Sequence, residues 1–272
     1  MPRAPANRPT AAVLLIGDEL LSGKIRDENG WFLSQRLRSR GVRLLEIATV
    51  PDDREEIGRA LLRLLAKTPL VFTSGGVGPT HDDVTLEAIG AALDRPLERN
   101  EALAEILRQF YRGELNDAAM RMAVVPRGTL LRADSGWPVL RLDLEASEHP
   151  SGIPDDAPRI YILPGVPPLL RKKIEALEAL EGELPAGPGW VLRDLWLRAD
   201  ESAIAARLEA VVAAYPDIAI GSYPRWDRDA NGALQVTLRL TFEGDEAERV
   251  DSAVADMRAS VADELVLAPP TA

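Results

Sequence analysis

Between Ala11 and about Glu181, short apolar runs alternate with longer segments whose apolar residues recur at helical spacing. Val13-Leu14-Leu15-Ile16 has no polar position, the pattern of a strand buried on both faces. Trp31 to Arg40 reads as a helix stopped by Gly41 at its C-terminal cap, and Val42 to Val50 as a second strand. From Arg54 to Ala66, residues Ile57, Leu61, Leu64 and Leu65 fall at i, i+4, i+7 and i+8, which predicts a helix with one buried face. Leu70 to Thr73 predicts a third strand, followed by a glycine loop and a helix from about Asp83 to Leu93. Arg159 to Leu163 and Leu169 to Leu180 repeat the strand-then-helix step. Such alternation implies βαβ units, and so an α/β fold in three layers with a mostly parallel sheet between helices.

Two stretches break the rhythm. Glu145 to Pro158 is polar with three prolines and reads as a surface loop, in which His149 is taken as inert. Leu184 to Gly189 (LPAGPG) is a cluster of breakers. The expected division is therefore a first domain over 1–184, a linker over 185–189 and a second domain over 190–272. The second domain reads β-α-β-β-α: strands at Trp190 to Leu197, Ile218 to Ser222 and Leu234 to Phe242, with helices at Glu201 to Ala214 and Glu246 to Glu264. That order describes a small α+β domain.

Composition narrows the function. The 272 residues carry a formal net charge of −11, which argues against a nucleic-acid or anionic-membrane partner, since both need a basic face. The absence of cysteine removes disulfides, thiolate catalysis and Cys-ligated metal. With two histidines, a three-histidine metal site is also excluded. The first ten residues hold no apolar core for a signal peptide, and no run reaches the roughly 20 residues of a membrane helix. A cytoplasmic soluble protein is the expectation.

Three strands end in loops rich in glycine, acid and proline. These are Gly17-Asp18-Glu19-Leu20-Leu21-Ser22-Gly23, then Ser74-Gly75-Gly76-Val77-Gly78-Pro79-Thr80-His81-Asp82-Asp83, then Pro164-Gly165-Val166-Pro167. Ligands of open α/β sheets bind beyond the carboxyl ends of the strands, so these loops are expected to converge on one crevice. Gly75, Gly76 and Gly78 let the backbone approach a ligand and offer bare N–H groups to phosphate, and the next helix presents its N-terminus. The alternative is a sharp turn in which glycines only supply positive φ. Asp82 and Asp83 beside a phosphate call for a cation such as Mg²⁺, or else one of them caps the helix. Asp52 and Asp53 carry the same ambiguity. Asp18, Glu19, Ser22 and Gly23 are candidate phosphate or ribose contacts, whereas Asp27 and Asn29 read as the start of a helix. His81 reads as a general acid or base, or as a solvent-facing loop residue. Trp31 and Phe32 read as packing residues, with ring stacking on a ligand as the alternative. Lys24 and Arg26 are the local counterweight to the acids, while Arg121, Arg127 and Arg132 read as phosphate contacts or as solvated surface.

The stretch Gly75-Gly76-Val77-Gly78-Pro79-Thr80-His81-Asp82-Asp83-Val84-Thr85 resembles the signature of the competence/damage-inducible protein A (CinA) family. Gly17-Asp18-Glu19-Leu20-Leu21, Pro51-Asp52-Asp53, Leu163-Pro164-Gly165-Val166-Pro167 and Gly221-Ser222-Tyr223-Pro224 agree in order. The Thr-His-Asp-Asp form also resembles the hydrolase half of eukaryotic FAD synthases. The resemblance implies a molybdopterin-binding-type α/β domain followed by a KH-like α+β domain, without the C-terminal amidase domain of longer members. It implies hydrolysis of ADP-ribose or FAD to AMP, with a divalent metal (Mg²⁺ or Co²⁺), often with K⁺. Asp83, Asp82 and Asp53 are then the expected catalytic and metal-binding acids. Gly17, Asp18, Glu19, Ser22, Gly23, Ser74, Gly75, Gly76, Gly78, Thr80, His81, Pro164 and Gly165 are the expected substrate contacts. A molybdopterin binder or adenylyltransferase, and a non-catalytic module, are the rival readings. Relatives imply a homodimer or homotrimer. One departure stands out: Asp134-Ser135-Gly136-Trp137-Pro138 replaces the family's usual turn, which leaves the substrate open.

Overall fold

The computed structural model describes residues 8–112, 116–132, 137–145, 158–228, 232 and 234–269. Along the first part of the chain lie β1 (Thr10–Ile16), α1 (Asp18–Leu21), α2 (Asn29–Ser39), β2 (Arg43–Val50), α3 (Arg54–Leu65), β3 (Leu70–Ser74) and α4 (Thr85–Ala92). They are followed by β4 (Leu97–Arg99), α5 (Glu101–Phe110), α6 (Asp117–Arg121), β5 (Val124–Pro126), β6 (Leu130–Arg132), β7 (Val139–Asp143), β8 (Arg159–Leu163) and α7 (Pro167–Ala179). The remainder is β9 (Val191–Leu197), α8 (Glu201–Ala214), β10 (Ala219–Arg228), β11 (Leu234–Gly244), α9 (Ala247–Ala259) and β12 (Val266–Leu267). These elements form two compact units, one over 9–187 and one that joins Arg8 to the chain from 188 onward.

The larger unit is the expected α/β architecture. Its sheet runs β2-β1-β3-β8-β7-β6, with β2, β1, β3 and β8 mutually parallel, β7 antiparallel to β8, and β6 antiparallel to β7. Adjacent positions of β1 serve two cores because successive side chains point to opposite faces. Leu14 and Ile16 pack with Ile57, Leu61 and Leu64 of α3 and Ile89 of α4. Val13 and Leu15 pack with Leu33 and Leu37 of α2 and with Leu170, Ile174 and Leu177 of α7. The chain leaves β1 for β2 on one side and then returns to β3 on the other, so the order reverses at β1. Such a switch point opens a crevice beyond the carboxyl ends of the strands. The register aligns those ends: Ile16 lies beside Val50, and Ser74 beside both Leu15 and Leu163.

The smaller unit is an antiparallel sheet in the order β10-β11-β9-β12, cored by Leu195, Leu197, Leu238, Leu240 and Phe242 against Ile204 of α8 and Val250 and Met257 of α9. The two-residue strand β12 carries too little pattern to be read from sequence. Arg8 stacks its guanidinium 3.7 Å from the Trp190 ring centroid and pairs with Asp245. Helix α4 starts at Thr85, two residues later than the Asp83 expected from sequence. Among the described residues, no helix is long and apolar enough to cross a membrane. His149, residues 134–136 and most of the Glu145–Pro158 loop lie outside the described residues.

Candidate functional site

The three loops do converge. They wall a cavity of about 790 Å³ at the β1/β3 switch point, within the range for small-molecule sites. Glu19 comes from the first loop, Ser74 through Gly78 and Asp83 from the second, and Pro164 and Gly165 from the third. Phe110, Tyr111, Met122 and Trp137 supply apolar walls.

The glycine turn is held open by its own backbone. Gly75 has φ 113°, and a Cβ there would strike the Ile16 carbonyl oxygen, while Gly76 at φ 62° would strike the Thr85 hydroxyl. Gly165 stacks so closely on the turn that a Cβ would lie 3.2 Å from Gly75 Cα. Thr85 fastens the far side: its hydroxyl donates to the Gly75 carbonyl at 2.9 Å and its N–H to the Gly76 carbonyl at 3.0 Å. The Gly75 N–H donates to the Leu163 carbonyl. The N–H groups of Gly76, Val77 and Gly78 make no hydrogen bond among the described residues, and all three residues line the cavity.

Asn29 ties the loops together. It is the first residue of α2, 7 % exposed, and its amide donates to Ser74 Oγ at 3.0 Å and to the Gly165 carbonyl at 2.6 Å. It does more than open a helix, the role its position in sequence implies. The Ser74 hydroxyl donates in turn to the Pro164 carbonyl, so its proton is spent on the loops and not on a ligand. Asp27 accepts from the Gly30 N–H at 3.0 Å at the start of α2, whose cap position is Glu28.

The acids separate into different duties. Neither Asp82 nor Asp83 caps α4: the cap position is Val84, without a side-chain bond. Asp83 instead accepts from the Thr80 N–H at 2.9 Å and from the Thr80 hydroxyl, and its carboxylate lies against Gly78. Asp83 lines the cavity, whereas Asp82 is exposed beside His81, whose ring is 98 % exposed. Asp53 caps α3, accepting from the N–H groups of Glu55 and Glu56 at 3.0 Å each. Asp52 accepts from the Asp18 N–H at 2.9 Å. Burial pushes its carboxyl above the ordinary range, the Asp18 N–H opposes this, and the nearby charges of Glu19, Asp18 and Asp82 add to the rise. Gly17, Asp18, Ser22, Gly23, Thr80 and His81 stand outside the cavity lining. Among the described residues, no three acidic or histidine side chains cluster at metal-binding spacing. Trp31, expected to pack, is 67 % exposed, while Phe32, its neighbour on α2, packs partly buried against the core as expected.

The walls at Phe110, Tyr111 and Met122 and the lysines Lys172 and Lys173 have no place in the sequence argument, and the second lysine is the buried one. Lys173 of α7 lines the cavity at 9 % exposure, and burial lowers its ammonium pKa to about 8. The signal existed: Leu170, Lys173, Ile174 and Leu177 follow the i, i+3, i+4, i+7 spacing of one buried face.

Residues 12–181 match the family model described as "Probable molybdopterin binding domain", and residues 189–269 match "FAD synthase, middle domain". The chain therefore belongs to the family of probable molybdopterin-binding domains. It is 35% identical over 206 residues to a CinA-like protein of Citrifermentans bemidjiense, covering 74% of this chain and 47% of that one. It is 28% identical over 279 residues to a probable FAD synthase of Caenorhabditis elegans, covering 97% of this chain and 52% of that one. The chain thus spans about half the length of these two relatives. The solved structure of the protein CinA with unknown function from Thermoplasma acidophilum overlays at TM-score 0.55 with 28% identity, covering 62% of this chain and 97% of that one. The likeness to CinA drawn from the glycine signature stands on these matches.

Proposed function

We propose that this chain is a nucleotide pyrophosphatase that cleaves the diphosphate of an ADP-ribose- or FAD-class substrate, releasing AMP and a phosphate ester. The observation that carries the reading is the Gly76-Val77-Gly78 turn, whose three N–H groups are unspent at the wall of a largely apolar cavity beside Asp83. Successive free N–H groups form an anion cradle, and the apolar walls at Phe110, Tyr111, Met122 and Trp137 suit a planar ring. The similarity of the whole chain to a probable FAD synthase supports a flavin or adenine dinucleotide as the ligand.

In this reading the glycine turn holds the diphosphate oxygens and Asn29 keeps the loops in register around them. Water adds to one phosphorus, the bridging P–O bond breaks, and the bridging oxygen leaves on the other phosphate. The donor set fits a cation of the kind Mg²⁺ exemplifies, held by one or two carboxylates with the rest of its shell from water and phosphate. Asp83 would hold it, because Thr80 occupies one of its oxygens and leaves the other available. Such a cation, Mg²⁺ or Co²⁺ with K⁺ alongside, supplies an acidified water and neutralises charge on the leaving phosphate. Asp53 is spent on its helix cap and contributes at most one further oxygen.

The test is AMP release from ADP-ribose and FAD, read by mass spectrometry with Mg²⁺ or Co²⁺ and K⁺ varied. Asp83→Ala is expected to lower that rate by about 100-fold or more, the usual scale for losing a charge-stabilising group. No AMP from either substrate under any metal overturns the activity, and an unchanged Asp83→Ala rate overturns the site. The match to a molybdopterin-binding model favours a second reading, a pterin-nucleotide binder or adenylyltransferase. Tight binding of a pterin nucleotide in calorimetry, without turnover of ADP-ribose or FAD, selects it.

A further inference from the structure

The cavity wall holds four carboxylates, from Glu19, Asp27, Glu28 and Asp83, in a chain of net charge −11. A diphosphate entering it meets three cations on the wall, Arg26, Lys172 and Lys173. Arg26 and Lys172 are exposed, so solvent screens them. Lys173 is buried, and among the described residues nothing forms a hydrogen bond or ion pair with its amine. The carboxylates named above, the Tyr111 phenol and the two neighbouring cations are the titratable groups that share the cavity with it. None of them shifts it, and desolvation alone accounts for its lowered pKa. Behind it lies a void of about 30 Å³ walled by Val77, Leu86, Met122, Trp137 and Leu140, which contribute no charge.

A lysine this desolvated, with no partner for its amine among the described residues, is costly even though the amine is not fully enclosed. Folded proteins pair or remove such groups unless something else uses them. The chain has 28 arginines and four lysines, so a lysine here is an exception to its own habit. Arginine would stay charged at any working pH, while lysine changes its charge when buried. We propose that Lys173 is an anion contact of the cavity: its ammonium reaches from α7 to a phosphate oxygen of the bound ligand and completes the cradle begun by the Gly76-Val77-Gly78 turn. This rests on the diphosphate reading above. It makes Lys173 a binding residue with a defined sign of pH dependence. An anion bound beside the amine raises its pKa, so binding draws in a proton where the free amine is partly neutral, at and above about pH 8.

The experiment is calorimetry of ADP-ribose, FAD and inorganic pyrophosphate binding, with the divalent metal held constant. Titrations at pH 7 and pH 9 in buffers of different ionisation enthalpy count the protons taken up. ADP-ribose is the cleanest probe because its diester diphosphate has no titratable proton in this range. For the wild type, affinity is expected to fall from pH 7 to pH 9, with proton uptake at pH 9. Lys173→Met is expected to weaken binding at pH 7 by about tenfold to a hundredfold, the scale of a charged hydrogen bond, and to abolish the uptake. Lys173→Arg is expected to keep most of the affinity and lose the pH dependence. As a separate readout, an amine-acylating reagent at pH 8 is expected to label Lys173, and ADP-ribose to protect it.

Wild-type affinity in Lys173→Met, or proton uptake that survives in it, overturns the contact. AMP release with unchanged Lys173→Met binding leaves the activity standing and removes the contact. Lys173-dependent binding of pyrophosphate without nucleotide turnover does the reverse. Binding of none of the three probes overturns both.

Discussion

Glu183 and Lys173 lie in the same unit, both nearly lost to solvent, and the fold treats them oppositely. Glu183 is 2 % exposed and fully served: Arg132 donates to it at 2.9 Å, Arg141 at 2.8 Å and the Tyr161 hydroxyl at 3.1 Å. Burial alone would push its carboxyl up, but the two arginines outweigh that and hold it below the ordinary range. The same burial, with the Glu183 charge added, pushes the Tyr161 phenol up to about 12. Among the described residues, Lys173 has none of this. A charge that is buried for structure is surrounded by partners, and one buried without partners is left for something the chain does not itself supply.

The sharpest way to break that contrast is at Glu183. Glu183→Ala is expected to cost about 3–5 kcal/mol in denaturant unfolding, because Arg132 and Arg141 are left facing each other without the carboxylate. The sign with pH follows from the lowered pKa. Its stabilisation is present above the unfolded value and disappears as pH falls through the folded one. An Ala variant as stable as the wild type at pH 7 would mean that the network is surface decoration.

Lys173→Met is expected to move stability the other way, by about 2–3 kcal/mol at pH 7, since it removes the cost of a desolvated charge. A folded pKa of about 8 lies below that of a free lysine, near 10.4. The cost is therefore present in full below the folded value and is relieved as pH rises toward the unfolded one. The gain from Met should shrink between pH 8 and pH 10.5 and vanish above that. A variant that gains stability and loses ligand affinity is the mark of a functional residue that the fold carries at a loss.

The contrast also shows what a sequence can disclose. The parallel strands and the three loops were legible because each is a local pattern: Val13 to Ile16, or Gly75 to Gly78, announces itself within a few residues. Asn29 was not, because its amide reaches Ser74 and Gly165, residues 45 and 136 positions away. The late start of α4 was missed for a different reason. Asp83 has two local partners to choose from, and the Thr80 N–H competes successfully with the helix end. Lys173 stood in an Arg-Lys-Lys run that looks like a solvated face, although the phase of α7 puts one of the three inside.

The smallest expected effect is at Asp52, which is more open to solvent than either residue and lies between them in partners. It accepts one hydrogen bond, from the Asp18 N–H, and its raised pKa comes first from burial and then from the charges of Glu19, Asp18 and Asp82. For a carboxyl so raised, the folded state gains most when it is protonated, and that gain is lost as pH climbs through the folded value. At pH 7 its charge is therefore a small burden. Asp52→Asn keeps an oxygen for the Asp18 N–H and removes the charge. It is expected to stabilise the protein by about 0.5 kcal/mol at low ionic strength, and by less in salt, because the site is half open to solvent. A divalent cation shared by these acids would cancel the same repulsion in the wild type. Repeating the measurement in millimolar Mg²⁺ then separates two cases. If the Asn advantage disappears while it survives an equal ionic strength of monovalent salt, the acids around Asp52 hold the cation together with Asp83. If both salts act alike, Asp52 only braces the first loop against the second, and the metal rests on Asp83 and the ligand's own oxygens.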